Sequence, residues 1–285
     1  MPFYGVNKDK NHFKTKLCIS PDFSSLPFVA SFTIFTIIIF GESMELDILA
    51  IGTHPDDIEL ACSGTVAKCI RTGYSAGIID LTQGELGTRG NSAIRLQEAK
   101  KAANALGVAI RDNLRVPDGN IEVNQKNILK LVTAIRRYRP KILLIPHSIE
   151  RHPDHVHAHY LSREAWFYAG LRKIKTNQNG KPQQPWRPHQ CFHYMQWHEF
   201  TPSFIVDISD VFDIRMDSIK AHRSQFFDPE SREPQTLLSQ KTFFDFIETR
   251  CKSYGNKIGV QYGEPFYSTD AIGIQDLFSL QMFRG

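Results

Sequence analysis

The sequence predicts an α/β domain built on a mostly parallel sheet with helices packed on both faces. Two observations carry this. From residue 46 onward, short runs rich in β-branched residues alternate with longer stretches of helical period, the pattern of βαβ units. One run, Lys141–Pro146 (KILLIP), is apolar throughout after its first residue, as a strand covered on both faces should be. The chain's 285 residues suffice for one such domain with a substantial core. With 41% hydrophobic and 22% charged residues, a disordered or fibrous chain is excluded.

The elements follow in order. Leu46–Gly52 reads as the first strand, and Ile58–Arg71 as a helix ended by Gly73. Ala76–Thr82 is the next strand. Ser92–Leu106 places small and apolar residues at helical spacing and is stopped by Gly107. A short strand at Leu114–Val116 precedes a helix at Asn124–Tyr138, which Pro140 breaks. Lys141–Pro146 is the following strand, and Pro153–Leu171 is a helix with proline in its first position. Residues 174–191 (IKTNQNGKPQQPWRPHQC) are polar and rich in Pro, Asn and Gln, and read as a loop. Beyond them lie strands at His193–Trp197 and Phe204–Ile208 and helices at Val211–Ser224 and Leu238–Tyr254. No repeat or low-complexity tract interrupts the chain, so residues 44–285 read as a single domain.

Residues 28–41 (FVASFTIFTIIIFG) form a long apolar run, shorter than the roughly 20 residues that span a bilayer. Lys8, Lys10, Lys14 and Lys16 upstream would suit a signal peptide or a membrane tether. Met44, directly before the first strand, favours the other reading: an extension over residues 1–43 outside the fold, with no stable membrane insertion. Lys+Arg 34 against Asp+Glu 30 leaves a net +4, too weak and too evenly spread for a nucleic-acid partner. Five cysteines (Cys18, Cys62, Cys69, Cys191, Cys251) make an odd count without a CxxC pair. That disfavours a disulfide framework or a thiolate zinc site and favours a reducing compartment.

Eleven histidines are present, four of them within residues 152–159. Two histidine–aspartate clusters occupy equivalent places: Thr53-His54-Pro55-Asp56-Asp57 after the first strand, and His152-Pro153-Asp154-His155 after KILLIP. Ligands of open parallel sheets bind outside the carboxyl ends of the strands, so both clusters can converge on one cleft. Imidazole nitrogen and carboxylate oxygen are good Zn2+ ligands, and a catalytic zinc keeps three protein ligands and an open position. His54 and Asp57, three apart at a helix start, can face one ion, with His155 as the third ligand. A rival pair is His155 and His159, four apart on one helix face. Asp56 and His152 are then left beside the metal without a ligand role, as a base and an oxyanion stabiliser would be. The plainer reading makes Asp57 and Asp154 first-turn acids offsetting helix dipoles. Two such clusters at matching sheet positions weigh against it.

THPDD after the first strand with HPDHVHAH about a hundred residues later resembles the LmbE/PIG-L family of zinc-dependent N-deacetylases, whose signature is usually AHPDD. Thr53 departs from it without touching the ligands. The wider match includes LTQGELGTRGN (81–91), REAWFYAG (163–170), FIVDIS (204–209) and IGVQYGEPF (258–266). Together these resemble the bacillithiol biosynthesis subgroup, which removes acetyl from N-acetylglucosaminyl-malate. The resemblance implies a Rossmann-like fold, a cytoplasmic location and a homo-oligomer. It also implies His54, Asp57 and His155 as zinc ligands, Asp56 as general base, and protonated His152 as the group that polarises the carbonyl. A malate arm carries two carboxylates and calls for planar, bidentate partners. Arg89, Arg95 and Arg151 are the candidates, although Arg95 could pair with Glu98, and Tyr262 is placed to close the pocket. The expected partner is therefore a small sugar conjugate with an acidic aglycone. Fe2+ or another divalent metal could replace Zn2+. Glu59 reads as a solvated helix position, and Trp186, Phe192 and Trp197 as packing. Rival readings are another N-acetylglucosamine conjugate (an inositol glycoside or a chito-oligosaccharide), a two-metal phosphoesterase short of carboxylates, and a non-catalytic zinc or sugar-binding protein.

Overall fold

The structure is a computed structural model and describes residues 44–280. The extension expected over residues 1–43, with its run at 28–41, lies outside the described residues. Among the described residues, no helix is long and apolar enough to cross a membrane, and Cys62, Cys69, Cys191 and Cys251 are free thiols.

The first half is the alternation the sequence announces. Strand β1 (Ile48–Gly52) leads through α1 (Asp57–Ala61) and α2 (Ser63–Arg71) to β2 (Ala76–Asp80), α3 (Ser92–Leu106), β3 (Ile110–Asn113), α4 (Gln125–Tyr138), β4 (Ile142–Pro146) and α5 (Pro153–Ala169). A small hairpin, β5 (Asn177–Gln178) and β6 (Lys181–Pro182), lies in the segment read as loop. It is followed by β7 (Gln190–Tyr194), β8 (Phe204–Asp207), α6 (Phe212–Lys220), α7 (Phe243–Lys257) and β9 (Gly263–Ser268). The main sheet has the order β3-β2-β1-β4-β7-β9-β8. β3, β2, β1, β4 and β7 run parallel, and β9 is antiparallel to both β7 and β8. The strand order reverses between β1 and β4, which pair from Ile48 with Ile142 to Ala50 with Leu144. The loops after these two strands flank that switch point.

Side chains alternate across the sheet with period two. Leu49, Ile51 and Leu143 pack with Leu131 and Ile135 of α4 and Leu161 of α5 on one face. Ile48, Ala50 and Leu144 pack with Val66 of α2, Phe212 of α6 and Cys251 of α7 on the other. Asn91 caps α3 by accepting from Ile94 N at 3.0 Å, and Gly107 ends that helix with φ 74°.

Four expectations are revised by non-local contacts. The helix expected over 58–71 breaks at Cys62 (φ −146°, ψ 17°). The buried Glu264 carboxylate of β9 reaches the start of α2 and accepts from Gly64 N at 2.9 Å and Thr65 N at 2.6 Å. The strand expected at 114–116 lies at Ile110–Asn113, where Arg111 and Asp112 mask it in the sequence. The strand expected at 193–197 lies at Gln190–Tyr194, in register with β4. β9, which contains a proline and a glutamate, becomes a strand by filling the gap between β7 and β8.

Candidate active site

The loop after β1 folds back on itself. Asp57 Oδ2 accepts from Thr53 N at 3.1 Å and His54 N at 2.8 Å, which fixes the carboxylate beside the His54 ring. His54 Nδ1 lies 3.5 Å from Asp57 Oδ2, and His155 Nε2 lies 3.4 Å from Asp57 Oδ1. The two clusters therefore meet, bridged by one carboxylate. The rings of His54, His152 and His155 lie 5.0–5.4 Å apart between centroids. On the far edge of His54, Nε2 is 3.0 Å from Asp118 Oδ1 and 3.5 Å from Asp154 Oδ2. Those acids are held in turn by backbone N–H donors, Leu86 to Asp118 at 2.9 Å and Gly119 to Asp154 at 2.7 Å.

The donor set fits a divalent cation. His54, Asp57 and His155 each offer a ligand atom, all within 4.8 Å of one another, and His54, His152 and Asp154 form a second such group. His155 Nδ1 is buried without a hydrogen-bond partner. The carboxylate beside His54 Nε2 matches the way a ligating histidine is oriented by its other nitrogen. The rival histidine does not join: His159 Nδ1 lies 3.0 Å from Pro146 O and its ring packs on His193, while His157 is exposed.

Charge is concentrated here. Burial opposes ionisation of His54, yet Asp118, Asp154 and Asp57 hold its pKa well above the ordinary value. Burial also opposes charge on Asp57, but His155 and His54 keep that carboxyl well below the usual range. Asp56 is pushed up by burial and only partly brought back by Arg95. His152 is pushed down by burial and then by the neighbouring His54 and His155. It caps α5 with Nδ1 accepting from Asp154 N at 3.2 Å, so its remaining proton belongs on Nε2. Nε2 is thus the nitrogen through which His152 can donate.

A cavity of about 350 Å³ opens over this cluster. Asp56, Asp118, Arg95 and Arg151 line it, together with Gln196, whose Oε1 is buried without a partner. The C-terminal part of the chain lines it with Trp197, Leu237, Leu238, Phe243, Phe246 and Ile247, beside the polar Gln225, Thr236 and Arg250. Trp197 thus faces the cleft, 5.5 Å from Phe246 and under the Arg151 guanidinium at 5.1 Å, rather than serving only as packing. Trp186 and Phe192 do pack against the core.

Two expected substrate contacts, Arg89 and Tyr262, are corrected. Arg89 is absent from the cavity wall. Its guanidinium ties down the segment after α6, donating to Ser224 O at 2.8 Å and Ser231 Oγ at 2.9 Å. Tyr262 stacks on Phe212 at 3.7 Å between centroids and donates to Glu248 Oε1 at 3.0 Å, away from the cavity. Arg95 reaches the cavity, but its N–H groups go to Gly84 O, Pro55 O and Asp56 Oδ2. It does not pair with Glu98, which accepts from Ser224 N and Oγ at 2.7 Å. Arg151 is exposed and also lines the cavity. Glu59 is buried and paired with Arg111, which also holds Asp80. Burial opposes its charge, but Arg111 and His222 bring its pKa to about 2. The sequence reading missed Asp118, Gln196 and the wall from residues 225–250. Asp118 alone had a signal, a Pro-Asp-Gly turn after a strand.

The family described as PIG-L, GlcNAc-PI de-N-acetylase, matches residues 49–166. The diacetylchitobiose deacetylase of Thermococcus kodakarensis is 30% identical over 227 residues, spanning 76% of this chain and 80% of that protein. The chain belongs to the PIG-L/LmbE family of N-deacetylases. As a family member it is an amide hydrolase of the GlcNAc-deacetylase type. The structure of the conserved protein TT1542 from Thermus thermophilus superposes with a TM-score of 0.72 at 36% identity, over 81% of this chain and 98% of that one. A 1D-myo-inositol 2-acetamido-2-deoxy-alpha-D-glucopyranoside deacetylase from Mycobacterium leprae is 26% identical over 174 residues, 49% of this chain and 56% of that protein. The family match covers both His–Asp clusters, while most of the apolar wall lies beyond it.

Proposed function

We propose that this deacetylase removes the N-acetyl group of an N-acetylglucosamine conjugate with one Zn2+ held by His54, Asp57 and His155. The observation that carries it is the meeting of two clusters, 98 residues apart from Asp57 to His155, around one carboxylate in a cavity that Asp56 and His152 also line. Bound there, the ion supplies Lewis-acid polarisation of the scissile carbonyl and makes nearby water more acidic. Asp56 takes the proton of the attacking water as the C–O bond forms and the carbonyl oxygen gains the negative charge, then returns it to the nitrogen as the carbonyl re-forms and the C–N bond breaks. Its raised pKa suits a group that must hold that proton between the two steps. His152 Nε2–H donates to the developing oxyanion, a contact typically worth about 10²–10³ in rate. Acetate and a free amine are the products. A site of two imidazoles and one carboxylate also suits Fe2+ or Co2+.

Within this class, N-acetylglucosaminyl-malate is the specific substrate we propose. The support is narrower than three arginines, since Arg151 alone offers a guanidinium at the rim. A second reading, a chito-oligosaccharide, is favoured by the aromatic pair Trp197 and Phe246, which suits a second sugar ring. Acetate release from N-acetylglucosaminyl-malate, diacetylchitobiose and N-acetylglucosamine decides between them. The malate reading expects the malate conjugate to be preferred and Arg151→Ala to erase the preference. Preference for diacetylchitobiose that is lost in Trp197→Ala would replace it with the second reading. No acetate from any of the three would contradict the deacetylation of GlcNAc conjugates itself.

A further inference from the structure

We propose that Arg89 is a positioning residue for substrate choice. It straps residues 224–238 to the turn at 86–90, so that Leu237 and Leu238 stand in the cleft wall beside the part of the substrate beyond its acetamido group. This rests on the proposed deacetylation of an N-acetylglucosamine conjugate. Between α6 and α7 the chain forms neither helix nor strand, and a connection of that length without structure of its own is usually functional. Its two ends are anchored. Phe226 packs with Phe243 and Ile247, and Leu237 and Leu238 pack against the same cluster. No side chain between Phe226 and Ser239 is buried, so the middle of the connection has no core to hold it.

Arg89 supplies what the core does not. Only 4% exposed, it follows directly on Leu86, Gly87 and Thr88, which line the cleft. Nε donates to Ser224 O at 2.8 Å and Nη2 to Ser231 Oγ at 2.9 Å. Longer bonds run from Nη1 to Pro234 O at 3.4 Å and from Nη2 to Phe226 O at 3.5 Å. One guanidinium thus grips the start and the middle of the connection, a span that suits its planar fork and that a single ammonium does not cover. The next residue helps, since Gly90 N donates to Glu233 Oε1 at 2.9 Å. Among the described residues, the hydrogen bonds that join residues 227–235 to the rest of the chain come from Arg89 and Gly90. An ion pair of the exposed Arg223 with Asp228 at 3.8 Å adds little. The two segments approach closely: Gly90 has φ 69°, and a Cβ there would lie 2.7 Å from Ser224 Oγ. The tie continues into the cleft, because Gln225, which lines it, donates from Nε2 to Arg89 O at 2.8 Å. Thr236, Leu237 and Leu238 come just after Pro234 and line the cleft as well. Without Arg89 this wall loses its fixed place, while the His54 and Asp57 loop keeps the backbone donors that hold it.

The test compares wild-type protein with Arg89→Ala, Arg89→Lys and the double variant Ser231→Ala/Glu233→Ala. Three things are measured: bound zinc; kcat and KM on N-acetylglucosaminyl-malate, diacetylchitobiose and N-acetylglucosamine; and the rate of cleavage after Glu230 by a glutamate-specific protease. The strap predicts that Arg89→Ala raises KM for the preferred conjugate about tenfold relative to N-acetylglucosamine, with kcat and zinc retained. It also predicts cleavage after Glu230 about tenfold faster, because the segment opens locally more often. Arg89→Lys should behave like Arg89→Ala, since charge without the fork does not restore the bonds. The double variant removes two acceptors from the surface of the strap itself. It should shift both readouts the same way by a smaller factor, even if Arg89→Ala does not fold. An unchanged KM ratio, or kcat lost equally on all three substrates, would leave Arg89 a structural residue only and overturn the proposal. A raised KM with cleavage no faster would make Arg89 a direct substrate ligand and overturn it too. The protease readout needs no substrate. Wild-type protein that releases no acetate would therefore count against the deacetylase reading, while the cleavage rate would still decide whether Arg89 holds the strap.

Discussion

Along the loops that follow β1, β3 and β4, the cleft is lined by buried charge: His54, Asp56, Asp57, Asp118 and His155. The later part of the chain, residues 197 and 237–247, lines the same cleft with Trp197, Leu237, Leu238, Phe243, Phe246 and Ile247. The charged side is anchored by backbone donors and short loops at the sheet's switch point, and it lies within the 49–166 family match. The apolar side lies beyond that match and is held through α7 and a small cluster of Ile219, Phe226, Phe243 and Ile247. On the proposed function, the charged side carries the bond-breaking step, while recognition of the rest of the substrate is shared between Arg151, inside the match, and the apolar residues beyond it.

The largest effect expected on the charged side is that of Asp56→Ala. It should retain zinc by elemental analysis and lose about 10²–10⁴ in kcat. Zinc loss would move Asp56 into the ligand shell and break the division of roles. Next comes the contact that ties the two parts together. Glu264→Ala removes the acceptor of Gly64 N, Thr65 N and Arg215 Nε at 2.7 Å. Leaving the buried Arg215 charge unpaired should cost about 3–5 kcal/mol in urea unfolding. A cost below about 1 kcal/mol would show that the C-terminal part is not pinned there.

His193 on β7 sits between the halves, buried against His159 of α5. Burial, with His159 second, pushes its pKa down to about 3. The unfolded chain therefore binds a proton that the folded chain refuses between pH 6.5 and about 3. Stability should fall as pH drops through that window, by about 2 kcal/mol at pH 5. His193→Gln should flatten this part of the curve in chemical denaturation, and an unchanged curve would show that His193 does not produce it. The smallest effect is reserved for the apolar side. Trp197→Ala and Phe246→Ala should raise KM about tenfold with kcat preserved. A fall in kcat without a change in KM would place the wall in the chemistry and dissolve the comparison.

The two sides were also unequally legible in the sequence. His54, Asp57 and His155 stand in compact motifs directly after apolar strands, so spacing and sheet placement were enough to bring them together. Asp118 was within reach, but the strand before it was placed four residues late, because Arg111 and Asp112 make Ile110–Asn113 look like a loop. Arg89 and Tyr262 sat in motif-like segments and invited functional roles. Their partners Ser224, Ser231, Phe212 and Glu248 are set by tertiary packing, which no local pattern shows. At the break after Cys62, Gly64 N is taken up by Glu264, 200 residues further on, a contact no local pattern shows. Arg95 was singled out as a residue of the cleft, but its hydrogen bond to Asp56, 39 residues away, had no local signal.

The most direct test of the account is zinc titration of metal-free protein, with acetate release from N-acetylglucosamine conjugates measured at each step. The account predicts that release rises in proportion to zinc, levels off at one equivalent per chain, and disappears in His155→Ala. Release that ignores the metal, or that needs two equivalents to appear, would contradict a single ion held by His54, Asp57 and His155.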